Sequence, residues 1–286
     1  MEIKATAKIN LGLDVIRKRE DGYHDVRMVM QMTGMYDRII LYPRRGRSGI
    51  ELRTNLPYIP TNENNLAYKA AKLLMDEFDV TDGLEISLQK FIPVAAGLAG
   101  GSTDAAAVLK AVNKIFRLGL DNRQLMERGA RLGADIPYCL LGGTALAEGI
   151  GEKLTPLPAV PDCAVLIGKP GISVSTKTAY QNLDMNDISN RPDIDGMIRA
   201  ITDQDLEGIA SRMQNVFAPG IEKQYPVIAA IRELMEKNGA IKAMMSGSGP
   251  TVFGLFPSRN QAEKAAGILS GSRLARTVHV TGMFHG

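Results

Sequence analysis

No apolar run in the 286-residue chain reaches the about 18 residues that a membrane-spanning helix needs. The opening Met1-Glu2-Ile3-Lys4 carries no apolar signal core, so a cytoplasmic location is the expectation. Cysteine is scarce: the chain has 2, Cys139 and Cys163. Both sit among apolar neighbours without metal-ligand spacing, which argues against a disulfide framework or a zinc site and favours buried free thiols in a reducing compartment. Charge of one sign is lacking too. The net charge is +3, short of the concentrated basic face that nucleic acid requires but compatible with an anionic small substrate. There is no internal repeat and no low-complexity tract. Tryptophan is absent, and that decides nothing.

What is present suits a globular protein. Hydrophobic residues make up 45% and charged residues 23% of the chain, enough to bury a core, and the length fits two modest domains. Ile3, Ala5, Ala7, Ile9, Leu11 and Leu13 alternate with more polar residues, which predicts a half-buried strand with Lys8 and Asn10 on one face. Residues 38–42 and 84–88 are further strand candidates. Leu66, Ala70, Leu73, Leu74 and Phe78 recur at helical spacing. So do Ala105, Val108, Leu109, Val112, Ile115 and Phe116, with Ser102 or Thr103 as the expected cap. A helix is expected over 122–132, then a turn at Asp135-Ile136-Pro137. Residues 155–162 hold Pro156, Pro158 and Pro161 and read as a linker, placing a domain boundary at 157/158. Beyond it come a strand at 164–168, a loop ending near Tyr180, strands at 241–245, 251–256 and 276–281, and a helix over 260–269. Strands and helices mix without a strict alternating rhythm, so the class is α+β.

The strongest local signal is Pro93-Val94-Ala95-Ala96-Gly97-Leu98-Ala99-Gly100-Gly101-Ser102-Thr103-Asp104. Tiny residues running into a helix leave backbone N–H groups free to meet an anion at the positive end of the helix dipole. Close packing of a loop on a sheet is the plainer alternative. The phosphate-binding lysine loop Gly-x-x-x-x-Gly-Lys-Ser/Thr is absent, as is a Gly-x-Gly-x-x-Gly after a strand. A second glycine-rich stretch, Met245-Ser246-Gly247-Ser248-Gly249-Pro250-Thr251, taken alone reads equally well as a flexible connection. Asp135 alone reads as a helix cap, and Lys8 alone as a solvated strand lysine.

Taken together, these segments resemble the GHMP kinase superfamily. The 93–103 loop is similar to its second motif and 245–251 to its third. Ala7-Lys8-Ile9-Asn10-Leu11 and Gly133-Ala134-Asp135-Ile136-Pro137 resemble the first motif and the catalytic aspartate segment of the 4-diphosphocytidyl-2-C-methyl-D-erythritol kinases. Asp21-Gly22-Tyr23-His24 and Pro170-Gly171-Ile172-Ser173-Val174-Ser175-Thr176, with Tyr180 four residues on, resemble their cytidine-binding parts. The similarity spans the whole chain.

The resemblance implies a two-domain fold. A ribosomal-S5-like N-terminal domain, residues 1–157, would bind ATP and carry the catalytic groups. A ferredoxin-like C-terminal domain, residues 158–286, would bind substrate, with the two ligands meeting in the cleft between them. The implied reaction moves the γ-phosphoryl group of ATP, accompanied by Mg²⁺ of unassigned ligands, to the 2-hydroxyl of 4-diphosphocytidyl-2-C-methyl-D-erythritol. Asp135 would be the base and Lys8 the neighbouring cation, while the amides from Ala95 to Thr103 would cradle phosphate. Asn65 and Lys90 would lie near adenine. Asn10, Tyr23, His24, Thr176, Tyr180, Gly247 and Ser248 would serve the substrate, with Tyr23 and Tyr180 sandwiching the base. A small-molecule partner, no nucleic acid, no membrane, and a monomer or weak homodimer are expected. Two departures stand out. Alanine at 95, 96 and 99, where relatives often carry glycine, would require negative φ. The charge of Asp104 would be unwelcome unless it caps the helix or faces a metal. The rivals are another GHMP kinase, of mevalonate or homoserine type, and a non-catalytic nucleotide-binding protein on this fold.

Overall fold

A computed structural model describes residues 1–183 and 191–285. The chain resolves into two compact units: Met1–Ala7, Met35–Val94 and Ala99–Leu141 form the first, and Lys8–Gly34, Ala95–Leu98 and Gly142–Gly286 the second. Two long strands, β1 (Glu2–Lys18) and β2 (His24–Arg44), contribute to both. In β1 the predicted alternation is present in the sequence but not in the burial. Every residue from 7 to 15 is buried, so both faces of the strand are covered. Lys8 is 5% exposed and Asn10 fully buried, which overturns the reading of Lys8 as a solvated lysine. The strand expected at 38–42 is the end of a 21-residue β2.

Unit 1 continues with β3 (Ile50–Thr54), α1 (Leu66–Glu77), β4 (Gly83–Gln89), α2 (Gly100–Ile115), α3 (Asn122–Ala130) and α4 (Ile136–Leu141). Strand β4 lies between β3, parallel to it, and the end of β2, antiparallel to it, with Ile39 opposite Leu88 and Leu41 opposite Ile86. Helix α1 packs on α2, and α4 packs on both α2 and α3. Ala67, Ala70 and Ala71 of α1 and Ala105, Ala106 and Ala107 of α2 are buried; residues this small let helix axes approach closely.

Unit 2 comprises β5 (Thr144–Gly149), β6 (Lys153–Leu157), β7 (Ala164–Lys169), α5 (Thr176–Gln181), α6 (Ile194–Thr202), α7 (Leu206–Ser211), β8 (Gln214–Asn215), α8 (Ala218–Gln224), α9 (Pro226–Lys237), β9 (Lys242–Met245), β10 (Val252–Phe256), α10 (Arg259–Ser272) and β11 (Thr277–Gly282). One sheet runs β11-β7-β10-β9, antiparallel throughout. Counted in chain order this is 4-1-3-2, the arrangement of a ferredoxin-like unit. A Cβ on Gly168 of β7 would meet Leu269, Met235 and Ile231, so α9 and α10 cover the same face of that sheet. Elsewhere in the unit, β5 pairs with β2 and β6, and β8 pairs parallel to β1 at Gly12 and Leu13.

The proline-rich stretch is less of a linker than expected. Thr155, Pro156 and Leu157 belong to β6, with Pro156 opposite Ala145. Tyr180 lies in α5 rather than on a loop. No disulfide links Cys139, which is buried, and Cys163, which is partly so; burial, then the nearby Asp162, pushes the Cys163 thiol up to about 12. Among the described residues no helix is long and apolar enough to cross a membrane.

Candidate active site

In unit 1 the helix that follows the small-residue loop starts earlier than a Ser/Thr cap predicts. Helix α2 begins at Gly100 behind Ala99, whose φ of 56° is left-handed, and Ala99 supplies no side-chain cap. The Thr103 hydroxyl donates instead to the Thr6 carbonyl at 2.8 Å. The first amides of α2 therefore have neither a helical acceptor nor a capping side chain, which is the arrangement that receives an anion. Ala95 is also left-handed, with φ of 50°. The requirement of negative φ thus fails at 95 and 99, although not at 96. Alanine tolerates this region at roughly 1–2 kcal/mol per residue, so the neighbouring contacts hold the loop against that cost.

Asp104 neither caps α2 nor stands alone. Its carboxylate and that of Asp37, on β2, both meet the ammonium of Lys90, and the side chains of all three are at most 4% exposed. Burial, opposed by Lys90 and reinforced by Asp37, raises the Asp104 carboxyl well above the ordinary carboxylate range. Asn65 caps α1: its side chain accepts from the Ala67 amide at 2.9 Å and donates to the Pro60 carbonyl at 2.8 Å. Asp135 sits half-buried in the turn before α4 and its carbonyl accepts from the Cys139 amide at 3.1 Å. Among the described residues its carboxylate enters no hydrogen bond or ion pair, so the side chain is not spent on capping α4.

In unit 2 the Lys8 ammonium donates to Asn10 Oδ1 at 2.7 Å, leaving further N–H donors of the same group for an anion. The Lys8 amide donates to the Leu98 carbonyl at 3.1 Å, tying the centre of the loop to β1. Gly97 is left-handed at φ 76°, and a Cβ there would lie 2.1 Å from the Ser246 carbonyl oxygen. Ser246 Oγ donates to the Gly97 carbonyl at 2.9 Å. The second glycine-rich stretch is therefore no loose connection. It is the turn between β9 and β10, buried along most of its length. Asn215 holds it, donating from one amide to the Met245 and Gly247 carbonyls at 2.9 and 2.7 Å and accepting from the Phe217 amide at 3.0 Å.

Tyr180 packs against two other aromatic rings. The Tyr180 ring contacts His24, with centroids 4.8 Å apart, and meets Phe217 edge-on at 4.8 Å. Rings this close are in direct contact, so a base does not enter between Tyr180 and His24 in this arrangement. Tyr23 is 61% exposed. Burial, then Lys18, lowers the His24 pKa, favouring a neutral imidazole. Thr176 and Ser248 share a hydroxyl–hydroxyl hydrogen bond of 2.9 Å, joining two predicted substrate segments.

Two residues escaped the sequence reading. Asp37 is a lone acid 53 positions from its lysine, a separation at which no local pattern operates. Asn215 belongs to a strand of 2 residues, too short for periodicity to register.

Known proteins bear on this geometry. The GHMP kinases N terminal domain model matches residues 65–143, and the GHMP kinases C terminal model matches 197–273. A 4-diphosphocytidyl-2-C-methyl-D-erythritol kinase of Lachnospira eligens is 53% identical over 99% of this chain and 98% of its own length. One from Caldicellulosiruptor bescii is 50% identical over 93% of each. The crystal structure of a 4-(cytidine 5'-diphospho)-2C-methyl-D-erythritol kinase superposes with a TM-score of 0.86 at 32% identity, covering 100% of both chains. A homoserine kinase from Cytophaga hutchinsonii shares the fold alone, with a TM-score of 0.74 at 19% identity over 99% of this chain and 95% of its own. With full-length relatives at this identity and family models matching on both sides of the chain, the protein belongs to the GHMP kinases and, within them, to the 4-diphosphocytidyl-2-C-methyl-D-erythritol kinases.

Proposed function

We propose that the chain transfers the γ-phosphoryl group of ATP to the 2-hydroxyl of 4-diphosphocytidyl-2-C-methyl-D-erythritol, giving the 2-phosphate and ADP in the methylerythritol phosphate route to isoprenoid precursors. The observation that carries this reading is the uncapped start of α2 behind left-handed Ala99. Phosphoryl transfer asks mainly for alignment and for donors aimed at the equatorial oxygens, and the amides of the 93–103 segment are such donors. The acceptor is a tertiary alcohol, which benefits from a base. Asp135, with its carboxylate free of internal hydrogen bonds, takes that role. Lys8 stabilises the negative charge that develops on the alkoxide or the transferring group, and Asn10, bonded to it, orients the acceptor. Tyr23, His24, Thr176, Tyr180, Gly247 and Ser248 serve the cytidine diphosphate end, with the exposed Tyr23 as the ring free to stack on cytosine. Asn65 and Lys90 support the adenine side through the backbone they hold.

Mg²⁺ carried by the nucleotide would supply neutralisation of phosphate charge. Among the described residues no three His, Cys, Asp or Glu side chains group to hold a metal, and Asp37 and Asp104 are spent on Lys90. Such a donor set fits an ion carried chiefly by phosphate and water, as Mg²⁺ prefers. A division of labour at 157/158, a cytoplasmic location, and a monomer or weak homodimer belong to the same proposal; the two family models fall on either side of that division.

The test is ADP release with the diphosphocytidyl substrate, mevalonate and homoserine compared side by side. Turnover only with the first is expected. Turnover with another alcohol instead would replace the substrate, and no turnover with any would leave a nucleotide-binding protein. Asp135→Asn should bind ATP normally while kcat falls about 100-fold or more, the scale of general-base removal.

A further inference from the structure

Residue Lys90 and its two aspartates occupy an unusual position in unit 1. Asp37 Oδ1 accepts from the Ile92 amide at 2.8 Å and from the Phe91 amide, while its Oδ2 meets Lys90 Nζ. The same Nζ donates to the Gly100 carbonyl at 3.3 Å and to Asp104 on α2. The backbone of Lys90 is pinned as well: its amide donates to Asn55 Oδ1 at 2.8 Å, and its carbonyl accepts from Asn55 Nδ2 at 3.1 Å. One buried trio therefore grips both ends of the phosphate-binding segment, at 91–92 where it leaves β4 and at 100 where it enters α2. A Cβ on Gly100 would lie 3.0 Å from Ile92 and 3.4 Å from Lys90 Nζ, so the two ends are packed as well as bonded.

We infer that Asp37, Lys90 and Asp104 are positioning residues for ATP, fixing both ends of the phosphate segment as one buried unit whose charges must balance. This inference rests on the kinase reading above. Three buried ionised groups would leave one uncompensated negative charge beside the helix end that is to receive a triphosphate. Asp104 Oδ1 is buried and has no partner as a carboxylate. Protonated, the group becomes a donor, beside the Asp37 carboxylate that meets the same ammonium. The charges acting on Asp104 are those of Lys90 and Asp37. The helices packed on α2 carry Tyr68, Lys69, Lys72, Asp76 and Glu77 on α1, Arg123, Glu127 and Arg128 on α3, and Tyr138 and Cys139 on α4, and α2 itself carries Lys110 and Lys114; none of these is among the groups that shift Asp104.

The experiment is steady-state kinetics and calorimetry with MgATP on three variants of the full chain, with melting measured alongside. Asp37→Ala should raise the KM for ATP about 10- to 100-fold, the scale of a sub-ångström to ångström misplacement, while the KM for the alcohol substrate stays near wild type. Asp37→Asn keeps an acceptor for the two amides and should recover most of the ATP affinity even where Asp37→Ala folds poorly. Asp104→Asn mimics the protonated acid and should bind ATP as wild type does at neutral pH. As pH rises, wild-type affinity should fall relative to Asp104→Asn, because Asp104 then loses its proton. An unchanged KM for ATP in Asp37→Ala, equal losses for both substrates in a folded variant, or an Asp104→Asn curve parallel to wild type at all pH would overturn the inference. A wild-type chain that neither binds nor consumes ATP would sink the kinase reading itself, and this inference with it.

Discussion

In unit 1 the backbone around 91–100 is tied down by a lysine and two aspartates, all buried. In unit 2 the turn at 245–251 is tied down by Asn215 and Ser246, neither of which carries charge. Both devices satisfy backbone groups, and both are buried. They differ in what they ask of the surroundings. A buried amide with every donor and acceptor used is neutral at any pH, and its cost is met locally. A buried ionic trio meets its desolvation cost only while its charges balance, which makes the stability of that end of the loop a function of protonation.

The difference can be broken most sharply by deletion. Asp37→Ala leaves Lys90 with a single carboxylate partner and strands two amides, so unfolding free energy should drop by about 3–5 kcal/mol, the range for breaking a buried ion pair. Asn215→Ala strands the Met245 and Gly247 carbonyls and the Phe217 amide; about 2–3 kcal/mol is expected, since each buried unsatisfied group costs about 1–3 and part of the set relaxes. Denaturant titration gives both values, and a larger loss for Asn215→Ala would reverse the ranking of the two devices.

Titration sharpens the contrast further. The Asp104 carboxyl holds its proton more tightly folded than unfolded. Its contribution to stability is therefore complete below the ordinary carboxylate range and is lost as pH rises through the raised folded value. Measured against Asp104→Asn, wild-type stability should decline over that window, whereas the deficit of Asn215→Ala should be flat across it. A flat wild-type difference would mean that the trio is not proton-coupled. The smallest effect concerns the loop itself. Ala99→Gly relieves a left-handed alanine, offset by greater freedom in the unfolded chain, and should stabilise by about 0.5–1 kcal/mol.

Much of this molecule was legible from residue order. The helices at 66–77 and 100–115, the strand pair closing on 245–251 and the last helix–strand pair follow the periodicities of their apolar residues. The long β2 was read only at its end. Val26, Met28, Val29, Met30, Gln31, Met32 and Thr33 are all buried, so no alternation marks a strand whose two faces are both covered. The start of α2 was misplaced because Ser102 and Thr103 look like caps, yet the Thr103 hydroxyl serves Thr6 across the unit. The site motifs were visible as strings, but the residues that brace them were not. Asp37 and Asn215 act through contacts far along the chain, and the identity of a polar residue gives no sign of which distant backbone it will hold.

Alanines at 95 and 99 in left-handed conformations store strain in the backbone. A methyl group disfavours this basin, so each conformation is held by the packing around it and not by the residue itself. The segment is a spring kept wound by its neighbours: loosening the contacts around it would let both residues relax towards ordinary backbone angles.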